Sequence, residues 1–151
     1  MSILIQNEQQ DVTLDLVAIE QRLAGFLQQL NLSDWSLSVS FVDVIHSSLY
    51  NSKYRQKNGP ADVLSFPFTQ LQAGDMPSPT ADGIRDLGDL ILCPVKILSD
   101  INQLEAEFPE RLERLLVHGL LHLLGYDHHT DADYAVMKSM EEQLLGYPLD
   151  D

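Results

Sequence analysis

The chain has 151 residues, 44% hydrophobic and 21% charged, which suits one globular domain spanning 1–151 that buries enough surface to need no disulfide staple. A formal net charge of −14 excludes broad electrostatic attraction to DNA, RNA or anionic lipid, so any phosphate partner must be held locally. With one cysteine, Cys93, no internal disulfide forms; no stretch approaches a membrane span and the N-terminus lacks the marks of a secretory signal, so a reducing cytoplasm is expected.

Residues 3–6 read as a short strand. Leu16, Ile19, Leu23, Phe26, Leu27 and Leu30 then recur at helical spacing. Leu37, Val39 and Phe41 alternate with Ser36, Ser38 and Ser40, the period of a half-buried strand, which makes a β-α-β opening. A short helix is expected over 44–50. It is followed by a basic segment in which Lys53, Arg55 and Lys57 place three of the nine cations within five residues, a solvated turn on charge alone. Asp62–Phe68 reads as a strand, and Pro67 assigns it to an edge or an end. Residues 69–86, with Gly74, Pro77, Pro79 and Gly83, form a long loop; loops of this length in compact domains are usually functional or mobile. Leu87–Cys93 is the next strand, closed by Pro94.

The last third is helical. Pro109 suits the first turn of a helix running to about Leu124, and Gly125 suits its left-handed cap. Thr130, with Asp133 three residues on, caps a final helix that Gly146 and Pro148 end. This order predicts an α+β domain: a small mixed β-sheet covered by helices, with a metal-binding helix in the C-terminal half.

That helix carries His118-Gly-Leu-Leu-His122-Leu-Leu-Gly125-Tyr-Asp-His128, three of the five histidines within eleven residues. Residues four apart share a helix face, so His118 and His122 converge on one ion. Gly125 turns the chain back so that His128, or in its place His129, completes three nitrogens and leaves a fourth position for water, the arrangement of a catalytic rather than a structural zinc. The helix is apolar nearly all round, and imidazoles buried there need partners. Zinc is the expected ion, although three imidazoles also suit nickel, copper or iron.

The spacing matches the metzincin peptidases, but position 119 is Gly where they carry the glutamate that serves as general base. The same eleven residues, preceded by Asn51-Ser-Lys-Tyr-Arg55, Ala61-Asp-Val-Leu-Ser-Phe-Pro67 and Leu87-Gly-Asp-Leu-Ile91 in that order, resemble the bacterial YbeY family from about residue 15 to 145. The resemblance implies a metal-dependent endoribonuclease directed at single-stranded RNA. It would act in 16S ribosomal RNA 3′-end maturation and ribosome quality control, alongside the ribosome or proteins associated with it. His118, His122 and His128 map onto the metal ligands and Arg55 onto a functional arginine. Ala61 departs from the threonine expected there and puts a local hydroxyl contact in question.

On this reading Arg55 holds phosphate oxygens through paired hydrogen bonds while Lys53 and Lys57 guide the strand. Asp127 either orients an imidazole or caps a turn, and Asp62 and Asp89 are open between functional and structural roles. Met137 and Met140 either floor the metal pocket, as the methionine turn does in metzincins, or, at their helical spacing, pack in the core; Cys93 fits a buried small hydrophobe, and Tyr126 and Trp35 either stack on a base or pack. Two other functions fit the residues: a zinc peptidase lacking its usual base, and a ribosome-associated binding module with a structural metal.

Overall fold

The computed structural model describes residues 2–150 and has an α+β architecture. β1 (Ile3–Asn7), α1 (Leu16–Gln29) and β2 (Ser36–Phe41) form the opening unit, with β1 and β2 parallel and Ile3 opposite Leu37. α2 (Val44–Arg55) leads to β3 (Val63–Pro67), and β4 (Asp86–Leu92) is followed by α3 (Pro94–Asp100), α4 (Phe108–Leu123) and α5 (Asp131–Leu145). The sheet order is β1-β2-β4-β3. β4 runs parallel to β2 and β3 runs antiparallel to β4, so the sheet is mixed and β3 lies on its edge, where Pro67 removes a donor without breaking a central ladder.

The alternation in β2 sorts its side chains: Leu37, Val39 and Phe41 are buried while the serines between them are only half-buried. Leu90 and Leu92 continue the inner face, on which α1 sets Leu23, Phe26 and Leu27, and α4 sets Leu116 and Leu120. Asp89 lies on the opposite face of its strand; partial burial of its carboxyl and the nearby Asp86 hold its pKa above the usual range. Trp35, Met137 and Cys93 are buried, and Met140 and Tyr126 pack half-buried against the same core. For Trp35 the packing alternative therefore holds.

Two helices differ from expectation. α2 continues one turn beyond Tyr50 to Arg55 and is closed by Gln56 at φ 57°, so Lys53 and Arg55 occupy a last helical turn, where cations complement the helix dipole, rather than a free loop. α3 was not foreseen, because Pro94 reads as the end of β4 and is equally suited to the first turn of a helix. Among the described residues no helix is long and apolar enough to cross a membrane.

Candidate metal centre

α4 positions the first two histidines. Its apolar residues bury it against the sheet, and Gly119 lets it approach closely: a Cβ there would come within 2.9 Å of Leu90 Cδ2, 3.2 Å of Val63 Cγ2 and 3.3 Å of Ser65 Oγ. The glycine that stands where the metzincins carry glutamate therefore packs against β3 and β4. A side chain at 119 would enter the core.

The helix ends in a Schellman motif. Gly125, at φ 95°, donates its N–H to His122 O, and the Tyr126 N–H reaches back to Leu121 O. Glycine is required here twice over, since a Cβ would also collide with the backbone of Leu71 and Gln72 in the long loop between β3 and β4. The reversal brings His128 back over the helix. Its ring centroid lies 5.6 Å from that of His118 and 5.3 Å from that of His122.

One ring nitrogen from each of His118, His122 and His128 lies within 4.8 Å of the other two. His118 Nε2 and His122 Nε2 are 3.0 Å apart. Two zinc–nitrogen bonds of tetrahedral geometry set their nitrogens roughly 3.3 Å apart, so the pair is spaced to share an ion. His129 stands outside this trio: its side chain is largely exposed, 3.8 Å from Asp127 Oδ2. Asp127 itself accepts the His129 N–H at 3.3 Å, the turn-capping alternative.

A group not anticipated from sequence completes the arrangement. α5 packs along α4 and brings Glu141 Oε2 to 2.9 Å from His118 Nδ1. With Nδ1–H donating to the carboxylate, Nε2 keeps its lone pair and points it at the shared position. His122 is tuned differently. Burial first, then the neighbouring His118 and His128, push its pKa down to about 4, so its imidazole is neutral near pH 7 and ready to accept a metal. The donor set thus fits a metal ion that takes imidazole nitrogens.

The histidines open into a cleft of about 870 Å³. Tyr54, Arg55 and residues of β3 line it together with residues of α4 and α5, among them Arg111, Arg114 and Lys138. Arg55 therefore lines the same cleft as the triad, 63 residues before His118 in sequence. Lys53 and Lys57 do not line the cleft; Lys53 Nζ lies over the Tyr54 ring instead, 5.3 Å from its centroid. Four of the nine cations gather on this one surface of an acidic chain. Asp62 also lines it, with Oδ1 accepting the Val63 N–H at 2.7 Å.

At Ala61 it is the backbone that is held by a hydroxyl. Ser47 Oγ accepts its N–H at 3.0 Å and donates to its carbonyl at 3.2 Å.

Comparison with known proteins agrees with this geometry. The family model described as Endoribonuclease YbeY matches residues 4–147. A protein named Endoribonuclease YbeY from Oceanobacillus iheyensis is 36% identical over 148 residues, covering 97% of this chain and 96% of its own. Its namesake from Bartonella bacilliformis is 35% identical over 128 residues, covering 83% and 77%. The solution structure of TM1509 from Thermotoga maritima superposes with a TM-score of 0.59 at 23% identity, covering 96% of this chain and 90% of that one, a likeness of fold. Near end-to-end matching in sequence, joined to a three-imidazole cleft, places the chain in the Endoribonuclease YbeY family.

Proposed function

We propose that this protein is a metal-dependent endoribonuclease that cuts single-stranded RNA, with His118, His122 and His128 holding the ion and Arg55 holding the phosphodiester. The observation that carries the reading is the convergence of three imidazole nitrogens in a cleft that Arg55 also lines, in a chain of a family named for endoribonuclease activity. Zinc is the ion that best suits three neutral imidazoles with a position left for water. When bound, it supplies Lewis acidity toward a phosphoryl oxygen and an acidified water.

The protein's own groups do the rest. Glu141 fixes the His118 tautomer and ring. The Arg55 guanidinium takes two phosphate oxygens and offsets the charge that accumulates on them as the bond breaks. Arg111, Arg114 and Lys138 line the same cleft, among the carboxylates of Asp62, Asp127, Glu141 and Asp150, and give a strand further local contacts to phosphate in a chain of net charge −14.

The proposed setting is the cytoplasm, beside the ribosome, with the 3′ end of 16S ribosomal RNA as substrate. A peptidase is disfavoured because position 119 is glycine and supplies no carboxylate to act as general base. A structural metal is disfavoured because the cluster supplies three donors among the described residues, where closed zinc sites take four.

The test is cleavage of a labelled single-stranded RNA by metal-loaded protein, alongside a chelated sample and a peptide substrate. RNA cleavage lost on chelation, with no peptide turnover, is expected. Peptide turnover with intact RNA would overturn the reading.

A further inference from the structure

The cleft continues outward along α2 as a row of aromatic rings. Tyr50 and Tyr54, four residues apart, share one side of the helix; their rings are nearly parallel, at 18°, with centroids 6.3 Å apart. Tyr54 then meets Phe66 of β3 edge-on, at 73° and 5.1 Å, and both rings line the cleft. Tyr54 is 53% exposed and Tyr50 36% exposed, so neither is spent on the core. A cation lies against the row, Lys53 Nζ being 5.3 Å from the Tyr54 centroid, and the next residue along is Arg55.

Exposed aromatic rings in sequence with phosphate-binding cations are the parts of a single-strand binding track. Each base offers a π-face to a ring, and cations alongside take the backbone. In a duplex both faces of each base are already stacked, so such a row selects unpaired RNA.

We infer that Tyr54 is a base-stacking residue, seating the nucleotide next to the phosphodiester held by Arg55, with Tyr50 carrying the track one base further from the cleft. This rests on the nuclease reading above and adds to it the source of the single-strand preference. Lys53, which lies outside the cleft lining, acts on this track by pairing with the phosphate of the stacked nucleotide.

The experiment is single-turnover cleavage of a labelled single-stranded RNA by the metal-loaded wild type, Tyr54→Ala and Tyr54→Phe. It is repeated with substrates carrying one abasic nucleotide at successive positions around the cut. The alanine variant is expected to raise the half-saturating protein concentration about 5- to 150-fold, with the saturated rate changed only a few-fold. The phenylalanine variant, which keeps the ring, stays close to wild type. At one position the abasic substrate weakens wild type but does not weaken Tyr54→Ala further. Equal abasic penalties in the two proteins at every position, or unchanged saturation in Tyr54→Ala, would overturn the stacking role and leave the nuclease reading standing. A metal-loaded wild type that cleaves no RNA would overturn both.

Discussion

Helices α4 and α2 both line one cleft, yet different physics anchors them. α4 buries Leu112, Leu116, Val117, Leu120, Leu121 and Leu123 and carries its histidines on the remaining face. α2 buries only Ser47 and Asn51. Its attachment is a set of hydrogen bonds: Ser47 Oγ to both backbone groups of Ala61, and Asn51 Nδ2 donating to Gly59 O at 2.9 Å. The metal-binding wall is thus part of the core, while the wall carrying Arg55 and Tyr54 rests on a few polar contacts and the half-exposed Tyr54–Phe66 ring pair. Segments with few buried apolar contacts open at lower free energy, which suits a wall that must admit and release a polymer.

The largest way to break the α4 side is Gly119→Glu. A carboxylate forced between α4 and the sheet both overpacks the core and buries a charge, so a loss of about 3–5 kcal/mol is expected in denaturant unfolding, with no peptidase activity gained. A stable variant that cleaves peptides would mean that the helix is not held as described. Glu141→Gln probes the same wall more gently. The amide still fills the space but no longer draws the His118 Nδ1 proton as a carboxylate does, and metal affinity should fall about 10- to 100-fold in a competitive chelator titration while the fold is retained. Unchanged affinity would reduce Glu141 to a packing contact. The smallest effect belongs to α2. Ser47→Ala leaves both backbone groups of Ala61 without their partner and should cost about 1–3 kcal/mol, with amide exchange quickened in α2 and not in α4. Equal quickening in both would erase the distinction between the two walls.

The same contrast explains what was legible in the sequence. α1, β2, α4 and α5 announce themselves through apolar period and caps, and the helix-turn-His spacing brings the triad together because both are local features. The last turn of α2 was missed because its buried positions are polar and give no hydrophobic rhythm. Arg55 was legible only through resemblance, since nothing in Lys53-Tyr-Arg55-Gln-Lys57 distinguishes the residue that reaches the cleft from the two that do not. Glu141 lies 23 residues from His118 and meets it through helix packing, and Arg111 and Arg114 read as ordinary charged positions on a helix. Local chemistry was readable; contacts between elements distant in the chain were not.

The central claim is that the triad holds a metal and Arg55 acts on the substrate, each independently of the other. Metal content and single-turnover cleavage of single-stranded RNA, measured together on wild type, His118→Ala and Arg55→Ala, test it most directly. The account predicts that His118→Ala loses metal and cleavage together, and that Arg55→Ala keeps its metal while cleaving on the order of 10²-fold more slowly. Wild-type cleavage by metal-loaded Arg55→Ala, or undiminished cleavage by His118→Ala, would contradict it.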